Sequence, residues 1–307
     1  MTSGSRLEKI LARGEFAVTS ECGPPRGADA GVIRDKGELL RGFVDAVNVT
    51  DNQTSVVRMS SFASCIVLKE MGFDPILQMV CRDRNRIALQ SDILGAAALG
   101  LNNILCLTGD HQKFGDHGGA KNVFDMDSVQ LIQTVRWMRD EGKFLGGEEL
   151  KGVPRLFIGA AANPFADPFE IRVPRLAKKV AAGVQFIQTQ CIYNLDKCEQ
   201  WMDGVRDRGL HERVHILAGV TPFKSVGMAR YMKNMVPGMD VPDGLIERLK
   251  GVAKEEQAAE GIKICVESIE RLRAIEGVHG VHIMAIEWEE KVPEIVKQVG
   301  LHPRPSA

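Results

Sequence analysis

Almost no net charge is left over in this 307-residue sequence: 39 Lys and Arg stand against 40 Asp and Glu, giving −1. No global field therefore favours nucleic acid or a membrane surface, and neither is expected as a partner. No apolar run approaches the roughly 20 residues of a spanning helix. Residues 1–6 lack the apolar core of a secretory leader, so the expected compartment is the cytoplasm. The seven cysteines are odd in number and include no Cys-x-x-Cys pair. That argues against a disulfide framework and against a self-contained zinc or iron–sulfur site. Linkers and low-complexity segments are missing too, so one domain over 1–307 is expected. The 44% hydrophobic content is ordinary for a globular chain.

What is present is alternation. Strand-like runs fall at 16–21, 46–50, 75–81, 103–110, 156–162, 186–190, 214–220 and 280–286. A short lead-in helix carries Leu7, Ile10 and Leu11. Helical patterns follow at 29–42, 64–71, 84–100, 128–139, 176–182, 197–208, 225–235, 245–250, 255–275 and 292–299. In the 84–100 helix the apolar face is read as Ile87, Leu94, Ala97 and Ala98, with Gly100 at the end. Asp127 or Ser128 caps the 128–139 helix, and Gly183 ends the 176–182 helix. Eight strands alternating with helices predict a (β/α)8 TIM barrel of class α/β. A doubly wound sheet is the runner-up, but no Gly-x-Gly-x-x-Gly follows the first strand.

In such a barrel the functional groups gather at the carboxyl ends of the strands. Those ends read Glu21, Thr50 with Asp51, Gln78 to Cys81, Asp110, Asn163, Gln190 and Thr221. The central one is 103–110, an apolar run that closes on Thr108-Gly109-Asp110. Gly109 lets a flat ligand approach the backbone, and Asp110 adds a negative charge beside it. A long polar loop, 111–122, follows. Carboxylates, amides and hydroxyls suit hydrogen bonding to a heteroaromatic ligand plus one proton donor, not zinc hydrolysis. His111 and His117 are read as solvated loop residues rather than metal ligands, and no metal is expected.

Several motifs occur in order: Glu21 before Gly23-Pro24-Pro25-Arg26, Val49-Thr50, Leu107-Thr108-Gly109-Asp110, Phe124 to Val129, Lys178-Lys179-x-x-x-Gly183, and Thr189-Gln190. Together they resemble the methylenetetrahydrofolate reductase family over about residues 7–300. The resemblance implies a flavin-dependent oxidoreductase of one-carbon metabolism, serving methionine synthesis or the acetyl-CoA pathway. Reduced flavin would pass hydride to 5,10-methylenetetrahydrofolate, giving 5-methyltetrahydrofolate. It implies Glu21 as the acid that opens the imidazolidine ring, and Asp110 as the charge beside the flavin. Thr50, Gln78, Thr108, Gly109, Phe124, Asn163, Lys178 and Lys179 fall at implied cofactor positions. Gln190 falls at a pterin-binding position, and Phe223 near an aromatic that holds folate or nicotinamide.

The chain departs from the family pattern at Cys22-Gly23, where aromatics are common, at Gln78 in place of histidine, and at Thr108 in place of arginine. The stretch between Asn163 and Lys178 is short, which counts toward FMN, since FMN needs less of this groove, although FAD is the flavin expected. These departures resemble a branch in which a zinc- and iron–sulfur-containing partner subunit, rather than NADH directly, supplies electrons. The alternatives are a pterin-binding methyltransferase barrel without flavin and a non-catalytic barrel subunit of a larger complex. Met228, Met232, Met235 and Met239 read as core or a subunit interface, and an oligomer is expected. The cysteines read as buried apolar residues, Cys22 excepted because it adjoins Glu21.

Overall fold

The computed structural model describes residues 2–306. Its strands β1 (Ala17–Cys22), β2 (Ala46–Val49), β3 (Pro75–Val80), β4 (Asn103–Leu107), β5 (Phe157–Ala162), β6 (Phe186–Cys191), β7 (His215–Val220) and β8 (Val278–Ile283) are all parallel. They close in sequence order, β8 pairing β1, so the fold is the expected TIM barrel. Among the described residues no helix is long and apolar enough to cross a membrane.

Period two along each strand separates two apolar regions. Outward residues such as Val18, Val47, Leu77, Ile104, Ile158 and Val281 pack under the surrounding helices. Inward residues Ala17, Ala46, Ile76, Leu105, Phe157, Phe186 and Leu217 form a separate plug at the amino-terminal end of the barrel. Helix α1 (Arg6–Ala12) seals that end with Leu7, Ile10 and Leu11. Phe157 and Phe186 stack there with centroids 4.9 Å apart. Gly159 makes room for them, since a Cβ there would lie 2.2 Å from the Phe186 ring.

Helices α2 (Gly31–Leu40), α3 (Ser61–Glu70), α4 (Arg86–Ala98), α5 (Ser128–Asp140), α6 (Arg172–Ala182), α7 (Leu195–Arg206), α8 (Val226–Met235), α9 (Asp243–Lys250), α10 (Gln257–Arg273) and α11 (Val292–Gln298) surround the sheet. Asp127 does cap α5, in a reciprocal capping box with Gln130. The apolar face expected for α4 is corrected: Leu89, Gln90, Ile93 and Ala96 are buried, whereas Ile87 is 74% exposed. Ile87 sits in the first turn, which projects beyond the sheet, while Gln90 stays inside by donating to the Arg86 carbonyl and accepting from Leu145 N–H. Helix α6 begins at Arg172, with Pro174 in its first turn ahead of the 176–182 pattern, and that stretch carries Arg172 and Arg175. β8 likewise begins at Val278 and leaves the ladder after Ile283, three residues short of the expected end.

All seven cysteines are buried free thiols, Cys22 included. Cys22 points outward, and burial pushes its thiol up to about 12. Of the methionine group, Met232 is core while Met235 is 66% exposed.

Candidate active site

Above the apolar plug the inward side chains turn polar. Thr19 follows Ala17, Asn48 follows Ala46, Gln78 follows Ile76, and Gln188 follows Phe186. This layer floors a cavity of about 390 Å³ at the carboxyl-terminal end of the barrel. Its walls include Glu21, Thr50, Gln78, Thr108, Gly109, Asp110, Asn163, Lys179 and Gln190. The fold therefore gathers residues from six strands and α6 around one space.

Three residues singled out from sequence are elsewhere. Phe124 is 36% exposed beyond the rim, with φ +39°. Lys178 is exposed because it lies one helical position away from the inward-facing Lys179. Phe223 is fully buried beneath α8 and α10, stacked on Tyr193 at 4.4 Å. None of the three lines the cavity.

The rim at β2–β4 is held by arginines. Arg82, 2% exposed, donates to the Asp110 carbonyl (3.2 Å), to the Asn52 carbonyl (3.2 Å) and to the Asp83 carboxylate. Asp51 accepts from Val80 N–H (3.0 Å) and from Arg84 (2.6 Å). Gly109 has φ +91°, and a Cβ there would sit 3.0 Å from Val80 and 3.1 Å from Arg82. The turn that presents Asp110 thus needs glycine on both conformational and steric grounds. Thr108 accepts from Ser128 N–H (3.1 Å), tying the turn to the start of α5. Asn163 commits its side-chain oxygen to Phe165 and Ala166 N–H.

Gln190 owes its position to an irregularity in the β6–β7 ladder between Gln188 and Cys191. Thr189 Oγ1 accepts from Gly219 N–H (2.8 Å) where a backbone carbonyl would regularly stand. A Cβ at Gly219 would come within 2.3 Å of the Thr189 carbonyl, so glycine admits the distortion.

Two features fit a flavin-like ligand with a phosphate tail. Thr50 Oγ1 is buried against the cavity and has no hydrogen-bond partner among the described residues, an arrangement native interiors rarely leave unmet. On the opposite wall Arg172, Arg175 and Lys179 form a row of cations at helical spacing. Burial first, and then Arg175, push the Lys179 ammonium down to about 8. Burial and Arg175 also lower Arg172 from its ordinary value. Like charges held together in this way favour an anion between them. Glu21 and Asp110 supply the opposite charge on β1 and after β4.

Beyond the predicted set the cavity holds Asn48, Arg82, Arg172, Arg175, Gln188, His282 and Met284. The signal for Asn48 and Gln188 is a polar residue two places before a strand end, the inward position by alternation. For Arg172 and Arg175 it is the i, i+3, i+7 spacing that ends at Lys179. His111 and His117 join no group able to hold a metal among the described residues.

A family model described as methylenetetrahydrofolate reductase matches residues 6–300. The "Probable methylenetetrahydrofolate reductase (NADPH)" of Caenorhabditis elegans is 23% identical over 96% of this chain and 44% of its own length. "Methylenetetrahydrofolate reductase 2" of Schizosaccharomyces pombe is 26% identical over 80% of this chain and 39% of its own. The chain thus spans less than half the length of these curated relatives. In fold it is similar to a Clostridium thermocellum protein described as binding two copies of 5-methyl-5,6,7,8-tetrahydrofolic acid (TM-score 0.64, 14% identity, 96% and 98% of the two chains). It is also similar to an EDTA monooxygenase of Chelativorans (TM-score 0.56, 11% identity, 94% and 95%). With a family match spanning nearly its whole length, the chain belongs to the methylenetetrahydrofolate reductase family.

Proposed function

We propose that the chain is a flavin-dependent reductase that converts 5,10-methylenetetrahydrofolate to 5-methyltetrahydrofolate. The observation that carries this reading is a single cavity lined both by Glu21, Asp110 and Gln190 and by the Arg172, Arg175 and Lys179 row. Thr50, Gln78, Gly109 and Asp110 would hold the flavin ring, and the cationic row its phosphates. FAD, with two phosphates to meet three cations, suits that row better than FMN. When bound, flavin supplies the hydride.

Glu21 lies inside the mouth with its side chain 13% exposed. There it protonates a folate ring nitrogen, so that the imidazolidine opens and the methylene carbon becomes an electrophilic iminium. The negative charge of Asp110 offsets the positive charge that develops. Gln190 projects an amide with no other hydrogen-bond partner among the described residues, free to give the pterin a donor and an acceptor. On this reading the electrons come from a zinc- and iron–sulfur-containing partner subunit, which the departures at Cys22-Gly23, Gln78 and Thr108 support.

The test is the visible spectrum of the purified protein, followed by anaerobic addition of methyltetrahydrofolate. Oxidised-flavin bands that bleach with methyltetrahydrofolate, but not rapidly with NADH, are expected. Glu21→Gln should keep the flavin and slow the folate half-reaction by roughly 10²- to 10⁴-fold. A protein colourless after incubation with FAD or FMN would overturn the reading and favour a flavin-free methyltransferase. Rapid bleaching by NADH would remove the partner subunit from it.

A further inference from the structure

One part of the polar layer has no role in the steps above. Asn48 on β2 and Gln188 on β6 exchange amide hydrogen bonds across the barrel, each donating to the other's side-chain oxygen. Gln188 Nε2 also donates to Thr19 Oγ1 at 3.3 Å. The Thr19 hydroxyl then has two candidate acceptors, His282 Nδ1 at 3.0 Å and the Val281 carbonyl at 3.4 Å. An O–H donor ordinarily stands about 2.7–2.8 Å from an oxygen acceptor. The carbonyl contact is therefore the weaker; with the proton directed to the imidazole instead, the ring would be the acceptor. His282 would then accept at Nδ1 and carry its own hydrogen on Nε2, which lies 3.9 Å from Glu21 Oε2.

Asn48 and Thr19 are fully buried, and Gln188 and His282 nearly so. Apolar side chains would fill the same volume without the risk of an unpaired polar group. The direction of the chain offers a reason for keeping it. We propose that His282 is a positioning residue for Glu21, its Nε2–H aimed at the carboxyl by a relay running from Asn48 and Gln188 through Thr19. Within 4 Å, His282 is the one basic side chain facing Glu21 among the described residues. At 3.9 Å the interaction is longer than a hydrogen bond, and such contacts tighten when substrate fills the site. The relay limits the rotation of Glu21 and so fixes where its proton is delivered. This positioning role rests on the reductase reading; the direction of the relay does not.

Ring-¹⁵N histidine labelling of the holoenzyme tests the direction. Two-bond proton–nitrogen spectra, with His282 assigned by its loss in His282→Asn, should show the Nε2–H tautomer. Thr19→Val should turn it into a tautomer mixture, and Thr19→Ser should restore it. Gln188→Leu, which removes the donor to Thr19 without touching His282, is the second variant should Thr19→Val not fold. In the anaerobic folate half-reaction Thr19→Val and His282→Asn should lower the rate at saturating folate roughly 10- to 100-fold. The folate concentration at half-maximal rate should not change. An Nδ1–H tautomer in the wild type, an unaltered tautomer in both relay variants, or unaltered rates would overturn the proposal. An Nε2–H tautomer in a wild type inactive on folate would support the relay and count against the reductase reading alone.

Discussion

Lys179 shows how one residue's surroundings can announce a ligand. Its ammonium donates to the Ala161 carbonyl, beside Arg175, where burial and like charge hold it down to about 8. A phosphate bound there would keep the proton on, so anion binding above that pH requires proton uptake. Affinity for the flavin should therefore be flat below about pH 7 and fall as pH rises through about 8. Lys179→Met should weaken binding roughly 10- to 100-fold, the equivalent of one charge-assisted hydrogen bond of about 1.5–3 kcal/mol, and should abolish the fall. Flavin fluorescence titrations between pH 6.5 and 9.5 check both. A wild-type affinity that is flat across this range would separate Lys179 from the phosphates. Thr50 makes the same point with no charge: its buried hydroxyl lines the cavity and has no partner among the described residues, so it can bond a ligand.

Between elements, glycines decide how closely parts of the barrel approach. Gly261 in α10 lies against the chain just beyond β7, and a Cβ there would fall 1.8 Å from the Phe223 carbonyl oxygen. Helix propensity alone would favour alanine by about 1 kcal/mol. Steric overlap with backbone outweighs it, since the carbonyl has no rotamer to change. Gly261→Ala should destabilise the fold by about 1–3 kcal/mol, read from urea unfolding. An unchanged or raised midpoint would mean that α10 shifts without strain. The sequence pattern identified α10 as a helix but could not reveal this contact, because it depends on a carbonyl 38 residues away in the chain.

Across the whole molecule, Asp45 joins the two ends of the chain at the base of the barrel. Its carboxylate has no exposed side-chain surface; it accepts from Val18 N–H (2.8 Å), from Arg304 (2.6 Å) and from Arg6 (3.4 Å). Arg304 also donates to the Phe16 carbonyl (2.7 Å). Asp45→Asn leaves the Arg304 guanidinium buried without its counter-charge, which should cost about 3–5 kcal/mol. Asp116→Asn, in the exposed pair with Arg26, should cost under about 1 kcal/mol. Chemical denaturation of both variants makes the comparison. Similar losses would show that Asp45 works as an ordinary surface pair.

Local pattern by itself determined the barrel. Period two in the strands, 3.6 in the helices and the regular exchange between them leave few architectures, and strand-end chemistry marked where the cavity lies. It placed Glu21 and Thr50 at the mouth because alternation fixes the inward positions at a strand's end, whereas Asp110 arrives through the Gly109 turn and Gln190 through the β6–β7 irregularity. What it did not decide was depth and facing. Phe223 reads as a mouth aromatic but is drawn under α8 and α10 by stacking on Tyr193. His282 lies in the eighth strand with no motif around it, and gains its partner only when closure brings β8 beside β1. Asn48 and Gln188, 140 residues apart, meet across the barrel for the same reason. Each of these contacts joins residues distant in the chain, and ring closure, a property of the whole sheet, brings them together.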